Sequence, residues 1–175
     1  QPLRRRTIWL SLFIGLAGSM AVSFFAGIGI PILLFEPSAT GFMMLGAGLF
    51  LSVIFVAIAM LAAVITRDKA KGIGVSILLW LYFSVIFDGL VLFILFQFAD
   101  YPLEKPMIGM TALNPIDLSR ILVMLKIDLA ALLGYTGAIY QQFFGSIGGM
   151  LVSFTLLLLW IALPAWGAVR AFARA

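Results

Sequence analysis

The sequence contains no cysteine and no histidine. That removes structural zinc, haem ligated through His or Cys, iron–sulfur clusters, disulfides and Ser-His-Asp catalysis, and it leaves the redox compartment undetermined. Charge is also scarce, at 10% of 175 residues, where a soluble domain carries ~25%. A soluble globular domain is therefore excluded. No phosphate-binding GxxxxGK[ST] loop occurs, so the chain does not itself bind and hydrolyse ATP through that motif. No Ser- or Gln-rich linker divides it, which leaves a single domain over residues 1–175.

What remains is 64% hydrophobic, with a mean hydropathy of +1.21. No charge occurs from Thr7 to Phe35, from Pro37 to Thr66, or from Leu129 to Val169, and Asp88 is the sole charge from Gly72 to Ala99. A helix needs ~20 apolar residues to cross a ~30 Å hydrocarbon core. The runs are unbroken rather than alternating, which argues against a transmembrane barrel. The expected fold is an all-α, polytopic membrane bundle of four spans, at about 7–34, 40–66, 72–98 and 147–169. A segment at 100–145 lies outside it.

Lys and Arg in short loops stay on the cytoplasmic side. Eight of the eleven fall in alternate connections: Arg4, Arg5 and Arg6; Arg67, Lys69 and Lys71; Arg170 and Arg174. Lys105, Arg120 and Lys126 fall on the other side. Residues 1–6, 67–71 and 170–175 are thus expected inside, with 36–40 and 100–145 outside. Trp9, Trp166 and Tyr101 suit interfacial anchors. Pro31 and Pro164 are expected to kink or end their helices. In the outer segment, Asn114-Pro115 reads as a helix start with Asp117 in the first turn. Leu118, Ile121, Leu122, Leu125 and Leu129 then form one apolar stripe, with Asp117, Arg120, Lys126 and Asp128 off it. The reading is an outer interfacial helix, since such charges are costly at bilayer depth. The Gly-rich stretch from Gly134 to Gly149 reads as a return loop.

Span one places Gly15, Ser19, Ser23 and Gly27 four apart, and Gly145, Gly149 and Ser153 repeat the pattern before span four. Such spacing permits close helix approach, within the bundle or between subunits. Asp88 faces protein or water, or is protonated, because a charge there costs roughly 2.5–3.5 kcal/mol. A hydroxyl partner and a pathway-lining role both satisfy it. Eight Met residues lack the dense spacing of a copper motif and read as packing, with no metal site.

Several segments together resemble the ABC-2-type permeases. Pro2-Leu3-Arg4-Arg5-Arg6-Thr7-Ile8 is similar to the end of their cytoplasmic coupling segment, before the third span. Arg67-Asp68-Lys69-Ala70-Lys71-Gly72, with Leu79-Trp80 and Phe87-Asp88, resembles their span-four-to-five loop and fifth span. Asn114-Pro115-Ile116-Asp117-Leu118-Ser119-Arg120 and Gly134-Tyr135-Thr136-Gly137-Ala138 resemble the outer segment before the last span. The likeness covers essentially the whole chain and is nearest to the NosY family, permeases that serve copper-centre assembly in nitrous-oxide reductase during denitrification.

The resemblance implies a six-span permease of which this chain is the C-terminal part, in a bacterial cytoplasmic membrane. It implies a homodimer in the lipid bilayer, a cytoplasmic ABC ATPase (NosF-like) and a periplasmic binding protein (NosD-like), with no cofactor and no nucleic acid. Arg4, Arg5, Arg6, Arg67, Lys69 and Lys71 become candidates for coupling to the ATPase. Asn114, Asp117, Arg120 and Asp128 become candidates for docking the outer partner. Other readings stay open: an ABC-2 permease for a lipid, polysaccharide or drug, or a passive anchor for a partner. An intramembrane enzyme is disfavoured because Asp88 has no second carboxylate, His or Cys in any span, and no catalytic residue is assigned.

Overall fold

The computed structural model describes residues 5–35, 37–98, 101, 104–126 and 140–174. All regular structure among them is helical. Four helices are long and apolar enough to cross a membrane: α1 (Arg5–Phe35), α2 (Ala39–Thr66), α3 (Lys69–Gln97) and, last in the chain, α6 (Ile147–Arg174). Between α3 and α6 come two shorter helices, α4 (Glu104–Ala112) and α5 (Pro115–Lys126). At 1.5 Å per residue the long helices measure ~40–46 Å, more than the hydrocarbon core, so their ends reach the headgroups. The chain is a multi-pass helical membrane protein, and the four expected apolar runs lie on these helices.

Local chemistry sets the ends. Ser38 caps α2, its Oγ accepting from the Gly41 N–H at 3.1 Å. Asp68 caps α3, its Oδ1 accepting from Ala70 at 2.8 Å and Lys71 at 3.1 Å. Arg67 closes α2 in the left-handed region at φ 53°, a place usually filled by Gly. Neither expected proline breakpoint ends its helix. Pro31 follows a π-type turn at Phe25–Gly29, where the Ile30 N–H reaches back to the Phe25 carbonyl. That widened turn accommodates a ring that clashes with an ordinary i−4 carbonyl. Pro164 lies inside the continuous α6.

Lipid gives helices no hydrophobic reason to associate, so tight packing must hold the bundle. The core joins α2 and α6 through α5: Ile54, Ile58, Leu118, Ile121, Leu122 and Leu157 pack with Phe83 of α3, Met107 of α4, and Tyr140 and Phe144 of the helical stretch at 140–144. The expected stripe on α5 is thus core-facing over Leu118, Ile121 and Leu122; Leu129 lies outside the described residues. α1 sits at the periphery and is the least buried of the four long helices. It docks on α2 by placing the Phe24 ring on Gly48, where a Cβ has no room. The small-residue stripe of α1 does not serve this contact. Gly15 and Gly27 face open space, and Ser19 and Ser23 are exposed. Gly149 is different: a Cβ there would overlap the Phe143 carbonyl, and its N–H is taken by Ser146 Oγ at 2.9 Å. The turn into α6 is built on that close approach.

Candidate functional site

α4 and α5 are bent by 110° about a short elbow at 113–114. Two hydrogen bonds fix the elbow's depth. Asn114, fully buried, donates its side-chain N–H to the Phe83 carbonyl at 2.8 Å, and Phe83 is the middle residue of α3. Trp160, in the middle of α6, donates its indole N–H to the Ala112 carbonyl at 3.2 Å. Both acceptors answer to backbone chemistry. In the π-type turn Tyr82–Ile86, the Phe87 N–H bonds to Tyr82 instead of Phe83, which releases the Phe83 carbonyl from its ordinary helical donor. The Ala112 carbonyl is one of the orphans at a helix C-terminus. From the elbow α5 runs along α2, where Ile116, Val123 and Met124 border one groove with Met44, Gly48 and Leu51. The pair is a sharply bent helix pair whose elbow is bonded to the middle of α3 and of α6.

This corrects the expectation of a helix lying on the outer surface. The charges that made depth seem prohibitive are matched there. Arg120 Nη1 donates to Asp88 Oδ2 at 2.8 Å and lies 3.4 Å from Asp117 Oδ1, one turn back on α5. Asp88 lies five residues beyond Phe83, ~7.5 Å outward by helical rise. The side chains of Asp88, Asp117 and Arg120 are 32%, 14% and 45% exposed, so the triad is partly shielded. They line a cavity of about 260 Å³ with Val91, Leu95, Met107, Thr111, Met124 and Tyr140. The hydroxyls of Thr111 and Tyr140 meet at 3.1 Å, and Thr111 also donates to the Met107 carbonyl at 3.0 Å. Asp88 Oδ1 is buried without a hydrogen-bond partner. Two carboxylates share one guanidinium in a mostly apolar pocket.

The structure therefore changes several expectations. The partner of Asp88 is the Arg120 guanidinium, not a hydroxyl, and a second carboxylate, Asp117, stands beside it. Asp88 is thus not solitary, and its isolation no longer counts against an intramembrane enzyme. Asn114 cannot serve as an outer docking residue, because it is fully buried and both ends of its amide are engaged, Oδ1 accepting from Ile116 at 3.0 Å. Asp117 and Arg120 are engaged with Asp88 within the chain, while the Arg120 side chain stays 45% exposed. Asp128, Arg4 and Gly134 to Gly137 lie outside the described residues. Arg5 and Arg6 at the start of α1 and Arg67, Lys69 and Lys71 between α2 and α3 are exposed at one end of the bundle. Trp166 is exposed and stacks under Arg170 at 3.6 Å, whereas Trp9, expected as an interfacial anchor, is buried against Phe13. Among the described residues no group of three or more His, Cys, Asp or Glu could hold a metal ion.

The residues missed from sequence are Trp160, Thr111 and Tyr140. Trp160 did carry a signal, an N–H donor in mid-span that must find an acceptor. Thr111 and Tyr140 carried none. No family profile, characterised protein or solved structure matches the chain.

Proposed function

We propose that this chain is a transport permease, the membrane subunit of an ATP-driven transporter whose ATPase is a separate polypeptide. The observation that supports transport is the bent α4–α5 pair, whose elbow is bonded to the midpoints of two apolar spans beside a cavity that holds an ion-paired triad. Non-helical backbone at membrane depth is tolerated only where protein buries it or where it lines a cavity. Ionisable groups at such depth mark pathways or gates more often than scaffolding. The narrower parts of the reading rest on the resemblance to ABC-2-type permeases: a homodimer, a NosF-like ATPase on the basic face, a NosD-like partner outside, and a role in copper-centre assembly in a bacterial cytoplasmic membrane. The chain's own part is transport, without enzymatic activity.

The test is affinity purification of the tagged chain from its native membrane. An ATP-binding-cassette ATPase should co-purify, and its ATP turnover should change severalfold when the permease is added back in nanodiscs. Recovery of the chain with no ATPase, or with one whose turnover is indifferent to it, refutes the reading.

A further inference from the structure

At the Arg67–Lys69 end of the bundle, α1, α2, α3 and α6 leave an apolar crevice that forks around Leu16, Met60 and Ala63. One arm, about 470 Å³, runs beside α3 past Ile73 and Ile77, with Lys69 at its mouth. The other, about 430 Å³, runs toward Phe172 of α6, lined by Trp9 and headed by Arg67. Each arm is oily along its length and cationic at one end. Neither Arg67 nor Lys69 forms an ion pair among the described residues. Asp68, between them in sequence, accepts the N–H groups of Ala70 and Lys71 on one carboxylate oxygen, Oδ1.

Trp9, 1% exposed, forms part of the wall of the arm that Arg67 heads. The site calls for a ligand with a negative group at the mouth and two apolar tails. Length agrees as well: from Lys69 to Ile77 the arm descends ~12 Å by helical rise, close to half of a ~30 Å hydrocarbon core.

We propose that this crevice binds one anionic diacyl phospholipid of the cytoplasmic leaflet. Its phosphate lies between Arg67 and Lys69, and an acyl chain fills each arm. Basic pockets between spans on the cytoplasmic side suit such headgroups. A helix from a second copy fits less well, because an apolar span offers no anion to the two cations. The proposal does not depend on what the protein transports.

The experiment is native mass spectrometry of the purified chain released from nanodiscs of equal phosphatidylglycerol and phosphatidylcholine. One phosphatidylglycerol should be retained in preference to phosphatidylcholine. Arg67→Gln and Lys69→Gln should each weaken retention about tenfold, the size of a charge-assisted contact. Lys71→Gln and Arg170→Gln remove the same charge from residues that do not line the crevice and should leave retention unchanged. Arg67→Gly separates folding from binding: it relieves the left-handed backbone and so should raise thermal stability while retention falls. Equal losses in the two control variants would reduce the effect to surface charge and overturn the proposal. So would release of the bound mass by millimolar inorganic phosphate, which marks a free-anion site, or a lipid-free dimer, which marks a second copy in the crevice.

Discussion

The Arg120 guanidinium reaches across from α5 to hold Asp88 of the third span at 2.8 Å, although the two residues lie 32 apart in sequence. The same nitrogen is 3.4 Å from Asp117, so Arg120 is the cation on which two carboxylates depend. The consequences of removing each member differ. Arg120→Met leaves two carboxylates in a mostly apolar cavity with no cation and should cost roughly 1–3 kcal/mol, below the value for a fully buried pair because the groups are partly exposed. Asp88→Asn leaves the Arg120–Asp117 pair and should cost less than ~1 kcal/mol. The combination Asp88→Asn, Asp117→Asn, Arg120→Met removes all charge and should recover most of the loss. Denaturant titration of the detergent-solubilised protein measures the order. An Arg120→Met variant as stable as Asp88→Asn would mean that the triad contributes nothing to the fold.

Asn114 makes a different kind of demand, because it satisfies the Phe83 carbonyl and the Ile116 N–H at once. Asn114→Leu has similar size but strands two backbone groups at a depth where water is scarce. Each stranded group costs about 1–3 kcal/mol, so this variant should be less stable than either Arg120→Met or Asp88→Asn. It should also loosen the elbow. Substitution by Asp, which keeps an acceptor for Ile116 but loses the donor to Phe83, should fall between Leu and the parent in thermal melting.

Depth is directly measurable with single cysteines, since the chain has none of its own. A membrane-impermeant thiol reagent applied to intact cells should label a Cys at Tyr101 and should not label one at Lys69, which the charge bias puts inside. Leu113 is the informative site. It is 62% exposed within the bundle, so a helix lying on the outer surface would label there readily. In a re-entrant hairpin Leu113 faces lipid near the midplane and should stay unmodified. Rapid labelling at Leu113 would return α4 and α5 to the surface.

The spans were legible because their signal is cumulative: thirty uncharged residues permit few other readings. The bent pair was legible only as two parts. Asn114-Pro115 announced a helix start, and the Leu118, Ile121 and Leu122 stripe announced a buried face, but the charges of Asp117 and Arg120 argued for the surface. Their compensation lies in Asp88, a long-range pairing that no local pattern encodes. The anchor in Trp160 was hidden for a related reason, since an indole in an apolar run reads first as packing. The released carbonyl of Phe83 depends on a π-type turn that has no composition cue in Tyr82–Ile86.

The turn into the last span offers a stability test that separates backbone crowding from composition. Gly148 and Gly149 are adjacent and chemically identical, yet their surroundings differ. A Cβ on Gly148 would meet only the Ser146 hydroxyl at 3.9 Å, an ordinary contact, whereas one on Gly149 would overlap the Phe143 carbonyl and crowd Phe144. Gly148→Ala should therefore be neutral or slightly stabilising through its better helix propensity. Gly149→Ala must push the 143–144 backbone away from α6, disturbing Phe144 in the core, and should cost about 1–3 kcal/mol, as for other overpacked sites. Because Tyr140, in the same helical stretch, lines the cavity that holds the triad, the displacement should carry into the site. If the permease reading holds, Gly149→Ala should lower ATPase stimulation measurably and Gly148→Ala should not. Equal stability for the two alanine variants would show that the turn yields without strain and that Phe143 does not fix the start of α6.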